Sequence, residues 1–324
     1  MLACSLRESF RFDNTKFNQI EKEQESESSS VLNESINSDY KIISSVEPEY
    51  DLIFQNGYEL KNLIYETNND KLFLVSDNEN KNKDGKKLYF LNKIFIKSKK
   101  MKNQIEKHIN ILNKIDSEYI IKIVNYFFTK EKTKDIVYII LDYYDNDLST
   151  IIYEKKFFLN NRNIWKIFVQ ILLGLNSLNI NGIIPEYICP QNIFLDKNNN
   201  IKIFCRFFLD LDKLPYLSPE ILREENTDEK SCIWSLGCIL YELAFKKLAF
   251  ADKNNANLKK DILSIKYYLP DNCEKDISVI LSKSICRKQK RLTIEELIFD
   301  EIIRNKIIEF NVFTEIIEYN SNSK

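Results

Sequence analysis

Apolar residues recur along this chain with two different periods, and the change from one to the other falls near residue 142. From Tyr58 to Ile96 short apolar segments, YELKNLIYE, DKLFLVS and KKLYFLNKIFI, are separated by polar turns that include Asp84-Gly85, a common hairpin signal, and this predicts an antiparallel sheet. Gln104 to Ile115 carries apolar residues at helical spacing, and Ile136 to Leu141 reads as a buried strand ahead of the polar segment DYYDND. Beyond it the period is helical. Ile164, Ile167, Phe168, Ile171, Leu175 and Leu178 mark one long amphipathic helix. A second helix is predicted from about Lys230 to Phe245, apolar on most sides and so central to its lobe. A third, TIEELIFDEIIRNKI, starts near Thr293 with glutamates in its first turn. The pattern gives a small β-rich lobe with one helix, a linker, and a larger helical lobe.

Composition adds limits to that picture. A chain of 324 residues with 44% hydrophobic residues can build two lobes with a sizeable core. Basic residues number 47 and acidic residues 48, so no overall field points to nucleic acid or to an anionic membrane. Seven cysteines without a C-x-x-C pair suit a reducing compartment and buried thiols. The single histidine, His108, argues against an imidazole-based metal site. No secretory signal and no run of about 18 apolar residues is present, so the expectation is an intracellular protein, cytoplasmic first, with nucleus or cytoskeleton as further locations. Residues from about Asn14 to Ser45 are rich in Ser, Glu and Asn and carry too few apolar groups to offset ordering entropy, which predicts a disordered arm over 1–47.

Two stretches carry specific chemistry. Residues 183–194 read IIPEYICPQNIF, and residues 215–243 read PYLSPEILREENTDEKSCIWSLGCILYEL. With VYIILDYYDNDL before them, they resemble protein kinases, most closely the NIMA-related (NEK) Ser/Thr kinases. The resemblance covers roughly residues 48 to 312 and implies a two-lobed α+β fold, with a small lobe over about 48–141, a hinge at 142–147, a large lobe over 148–312, and a tail at 313–324. It also implies ATP, Mg²⁺ and a set of reacting side chains, since phosphoryl transfer rests on positioning and charge stabilisation by a few residues.

Those side chains are largely replaced. Where the family places glycines over the phosphates, this chain has Tyr65, Thr67 and Asp70, which narrow the approach and add negative charge. The third-strand lysine position matches Asn92. Lys93, one residue on, should face the other side of the sheet, although a one-residue slip in register would restore it. The small-lobe helix glutamate matches His108. In the catalytic loop Tyr187 replaces the aspartate that accepts the substrate proton, and a phenol titrating near pH 10 cannot do so at neutral pH. Cys189 replaces the loop lysine, and Asn192, a magnesium ligand in the family, is kept. The metal-binding DFG becomes Cys205, Arg206 and Phe207, and a guanidinium beside a thiol does not suit Mg²⁺. Phe204, where the family carries a small residue, is expected to fill the cleft together with Tyr65 or Arg206. Cys232 replaces a helix aspartate that hydrogen-bonds the catalytic-loop backbone, a loss implying that the loop no longer needs its active geometry. Glu220, Arg291 and Trp234 match residues that hold the large lobe together.

The resemblance and its losses together imply a pseudokinase: a protein-interaction or allosteric scaffold without cofactor or metal. Its expected partner is a protein, an active kinase or a cytoskeletal protein, with neither nucleic acid nor membrane involved. The alternative is a divergent Ser/Thr kinase using ATP and Mg²⁺, with Lys93 for the missing lysine and Asp210 or Asp212 for the metal ligand.

Overall fold

The computed structural model describes residues 48–67, 69–78, 86–131, 134–154, 159–185, 187–206 and 211–311. The expected arm over 1–47, the Asp84-Gly85 turn, Phe207, Asp210, the Asp212 side chain and the tail at 313–324 lie outside the described residues.

The small lobe is a five-stranded antiparallel sheet built from β1 (Tyr58–Glu66), β2 (Asp70–Asp77), β3 (Leu88–Ile96), β4 (Ile123–Glu131) and β5 (Lys134–Asp142), in the order β1-β2-β3-β5-β4. Its two faces are both covered, which is why β3 reads as an almost unbroken apolar run. On the inner face Leu72, Phe90, Ile94, Val137 and Ile139 pack against α2 (Lys99–Leu112) through Met101, Ile105 and Ile109. On the outer face Phe73, Val75, Tyr89, Leu91 and Tyr138 pack with Ile53 of α1 (Pro48–Gln55). Helix α2 begins five residues before its apolar period becomes visible, because Ser98 caps it by accepting from the Met101 N–H at 3.1 Å.

The large lobe is helical. Its first elements are β6 (Asn146–Asp147), α3 (Leu148–Tyr153) and α4 (Asn161–Ile180), followed by β7 (Ile193–Leu195) and β8 (Ile201–Ile203). Then come α5 (Pro219–Leu222), α6 (Glu229–Phe245), α7 (Asn255–Ser264), α8 (Lys275–Ser284), α9 (Ile294–Ile298) and α10 (Glu301–Phe310). Helix α6 is buried along most of its length, as an all-round apolar helix must be. It lies so close to α8 that a Cβ on Gly237 would meet the Ser284 Cβ at 2.7 Å. The single helix expected from Thr293 is two. Thr293 and Glu296 form a capping box for α9, and Asp300 then accepts from the Ile302 N–H and starts α10, a local cap that competes with continuation of the first helix. The lobes join where β8 meets the segment after α2: the Ile203 N–H donates to the Tyr119 carbonyl at 2.7 Å, and the Ile121 N–H donates to the Ile203 carbonyl at 3.0 Å.

Candidate functional site

The cleft lies between the inner face of the small-lobe sheet and the three-stranded β6-β7-β8 sheet of the large lobe. At one end the chain turns tightly between β1 and β2. The Thr67 hydroxyl accepts from the backbone N–H groups of Asn69 and Asp70 at 3.2 and 3.1 Å, and the Thr67 N–H donates to the Asp70 carbonyl at 2.8 Å. This turn fixes the Asp70 side chain at the start of β2. Its carboxylate accepts from Thr67 Oγ1 at 2.5 Å and from Tyr65 Oη at 3.1 Å. Arg206, which follows β8 in the large lobe, donates through Nη2 to both carboxylate oxygens at 3.1 Å. The guanidinium also lies 4.4 Å from the Tyr65 ring centroid. The side chains of Arg206 and Asp70 are only 5% and 2% exposed.

Electrostatics favours this assembly. Burial lowers the Arg206 pKa, but Tyr65, Asp70 and Tyr187 more than compensate, so it is held above its ordinary value and fully charged. Burial pushes the Tyr65 phenol well above 10, Arg206 opposing that rise, so Tyr65 remains a donor at neutral pH.

Further along the cleft, aromatic rings meet across it. Phe90 of β3 and Phe194 of β7 have centroids 5.0 Å apart, and Tyr143 of the linker approaches Phe90 at the same distance, edge-on. Phe204 is buried among small-lobe residues, and its N–H donates to the Asn192 carbonyl at 2.8 Å. It borders a cavity of about 10 Å³ with Leu112, Ile139 and Leu141, space for one water molecule at most. Phe204, which follows β8, thus joins Phe194 in reaching from the large lobe into the small-lobe core.

A second buried ion pair lies deep in the large lobe. Arg291 donates to Glu220 at 2.6 and 3.4 Å, to the Lys230 carbonyl at 2.8 Å and to the Cys286 carbonyl at 2.9 Å. Glu220 also accepts from the Ser231 hydroxyl at 3.0 Å. The Arg291 guanidinium covers the Trp234 ring at 5.0 Å, and Trp234 stacks on Phe250 at 5.3 Å.

A protein kinase domain model matches residues 78–303, a span that takes in the large-lobe side of the cleft and this tether. The chain belongs to the protein kinase family. It is similar to the probable serine/threonine-protein kinase nek2 of Dictyostelium discoideum, 27% identical over 232 residues that cover 65% of this chain and 54% of that protein. Human serine/threonine-protein kinase Nek11 is 31% identical over 235 residues, 66% of this chain and 35% of its own length. The Caenorhabditis elegans serine/threonine-protein kinase nekl-2 is 24% identical over 237 residues, 66% of this chain and 65% of that protein. The matched segments thus span between about a third and two thirds of these relatives.

The positions that a kinase uses for chemistry can now be placed one by one. Asn92 is on the inner face of β3, opposite Leu72 and Ile139, and 1% exposed. Neither its amide oxygen nor its amide nitrogen has a hydrogen-bond partner among the described residues. Lys93 is buried on the opposite face, with Nζ 5.2 Å from the Phe95 ring centroid and 5.8 Å from that of Tyr138. His108 is half-buried in α2, and burial followed by Lys107 lowers its pKa, so it is neutral at pH 7. Glu106 lies 4.0 Å from Lys102 of its own helix.

Tyr187 is buried near Tyr65 and Arg206, and Cys189, two positions further on, is also buried. Asn192 is buried in a short turn whose N–H donates to the Cys189 carbonyl at 3.0 Å. Burial pushes the Cys205 thiol up to about 12, leaving no thiolate at neutral pH. Cys232 corrects one expectation. Its thiol, also raised by burial, donates to the Pro185 carbonyl at 2.9 Å, so the contact from α6 to the catalytic-loop backbone persists with a donor in place of a carboxylate acceptor. Among the described residues no group of three or more His, Cys, Asp or Glu is arranged to hold a metal ion, and no helix is long and apolar enough to cross a membrane.

In the sequence Tyr65 stands as an obstruction, Asp70 as an added negative charge and Arg206 as a positive charge at the metal position; their convergence and the Phe90–Phe194 contact emerge only in the fold. Opposite charges at positions that converge in the kinase fold were the available signal for the first. Phenylalanines two residues from Asn92 and from Asn192, on strands facing the same cleft, were the signal for the second.

Proposed function

We propose that this kinase domain is catalytically inactive and acts as a pseudokinase, a protein-interaction or allosteric scaffold. The observation that supports this most is the Asp70–Arg206 pair, which lies at the end of the cleft where a kinase would hold the phosphates and metal. Each charge is taken up by the other, so the carboxylate is not free to ligate Mg²⁺ and the guanidinium is not free to hold a triphosphate. The residues present therefore do not suit a metal–nucleotide complex, and Tyr187, protonated at pH 7 by its chemistry, does not serve as a general base. The divergent-kinase reading needs Lys93, which is on the far face of the sheet.

The partner implied is a protein, with an active kinase or a cytoskeletal protein as the classes suggested by NEK similarity, met inside the cell. The working part is then the lobe framework held by Glu220 and Arg291, and not Asn192.

The test is the melting temperature of the purified protein with and without Mg²⁺-ATP. No shift is expected, because only a ligand that binds the native state stabilises it by mass action. Radiolabel transfer from ATP should equal the blank without protein. A rise of several degrees at millimolar ATP that EDTA abolishes, or transfer above the blank, overturns the proposal.

A further inference from the structure

The Asp70 carboxylate is surrounded as a bound anion would be. Three side-chain donors converge on it, from the end of β1 (Tyr65), from the β1–β2 turn (Thr67) and from the other lobe (Arg206). Both oxygens are engaged, the site is almost sealed from water, and the guanidinium is stacked on an aromatic face. Tyr65 and Thr67 lie on the small-lobe side, whereas Arg206 follows β8, so the anion completes a bridge across the cleft.

We propose that Tyr65, Thr67 and Arg206 form an interlobe anion receptor for which Asp70 is a built-in ligand, so that the chain itself, and not a nucleotide, draws its lobes together. The proposal deepens the pseudokinase reading and rests on it for the claim that no nucleotide competes. A receptor of this composition accepts a small carboxylate or phosphate-like oxyanion through neutral hydroxyls and one guanidinium, without a metal. The occupant is covalently attached to the chain, so its effective concentration in the site far exceeds that of a free anion. The Phe90–Phe194 contact lies in the same cleft and reinforces the same closed arrangement.

The experiment is chemical rescue. Asp70→Ala removes the internal ligand and leaves its donors in place, and should lower the melting temperature by roughly 6–15 °C, as breaking a buried pair does in a domain of this size. Sodium formate, a carboxylate small enough for the vacated site, should then restore at least half of that loss in a saturable way. Sodium chloride at equal ionic strength should not. Wild-type protein and the Asp70→Ala/Arg206→Met double variant should show no formate-specific gain. Formate acting on Asp70→Ala no better than chloride overturns the receptor.

If Asp70→Ala yields no folded protein, Asp70→Asn and Arg206→Met, singly and combined, carry the test. The double variant should lose clearly less than the sum of the two single losses, because both remove one interaction; full additivity overturns the proposal. Failure of the pseudokinase reading shows differently, as Mg²⁺-ATP stabilisation of the wild type, whereas failure of the receptor leaves that measurement flat.

Discussion

Two buried arginine–carboxylate pairs, one in each functional region, differ in what they hold. Glu220–Arg291 is internal to the large lobe, and its spare valences end on groups of that lobe: two backbone carbonyls, a serine hydroxyl and the face of Trp234. Asp70–Arg206 joins the small lobe to the large one, and its spare acceptor capacity is met by hydroxyls from the β1–β2 corner. A buried pair repays its desolvation only where its remaining donors and acceptors are satisfied; Glu220 and Arg291 meet that condition through these bonds, and the Asp70 carboxylate meets it on the acceptor side. The first therefore fixes the interior of one body, and the second fixes the relation between two. In this protein kinase fold the two charges at the β1–β2 end of the cleft are turned towards each other.

The largest expected effect breaks the first pair. Glu220→Ala or Arg291→Ala should cost about 3–5 kcal/mol in denaturant or thermal unfolding, because each leaves an uncompensated buried charge. Asn192→Ala should cost far less and leave partner capture intact at equal abundance. If Asn192→Ala abolishes a partner-dependent phenotype while Glu220→Ala at normal abundance does not, the large lobe is not the working surface.

Next in size is the response to pH. Burial raises the Glu220 pKa, but Arg291 and Ser231 outweigh it, so its folded value lies below the ordinary carboxylate value. Its stabilisation is present above about pH 4.5 and is lost as pH falls through the lower folded value. Glu242 behaves in the opposite sense. Burial raises it, and hydrogen bonds from Tyr153 and Tyr216, both 2.6 Å, only partly counter that. Its cost is present at neutral pH and is relieved as pH falls towards the ordinary carboxylate value. On mild acidification the relief at Glu242 is opposed by His108, whose folded value is lowered by burial, and below about pH 4 the melting temperature should fall. Glu242→Gln should therefore gain less, or lose more, than the wild type on mild acidification, and Glu220→Gln should have a shallower fall; a profile unchanged by either substitution contradicts the assignment.

A smaller effect has the opposite sign. Asn92→Leu replaces an amide whose two polar atoms have no partner among the described residues by an apolar side chain of similar shape, and should stabilise the protein by about 1–2 kcal/mol. A loss measured by denaturant unfolding would mean that the amide has a partner in solution. Smallest is Cys232→Ala, which removes one thiol donor to Pro185 and should cost about 1 kcal/mol, with faster amide exchange confined to the catalytic loop.

Much of the fold was legible because periodicity reports burial directly. The long helix α4, the central helix α6 and strands β1–β3 follow the spacing of their apolar residues. What the spacing did not show was decided by local polar groups: Ser98 starting α2 early, Asp300 splitting the last helix, and β4, whose exposed Val124 and Tyr126 blur its alternation. In the site, single replacements were readable against the kinase motifs, and the opposite-face position of Lys93 followed from strand alternation. Contacts between replaced residues were not, because Asp70 and Arg206 are 136 positions apart and meet only through tertiary structure.

Helix α1 bears on how the chain can be cut. Ile53 is fully buried on the outer face of the small-lobe sheet, and the recognisable kinase segment begins only at residue 78. A fragment trimmed to that recognisable segment would discard β1, β2 and α1 at once. It would strip the cover from Tyr89, Leu91 and Tyr138 and leave β3 as a raw, sticky sheet edge. Such a fragment should aggregate, and one that starts no later than Pro48 should remain dispersed.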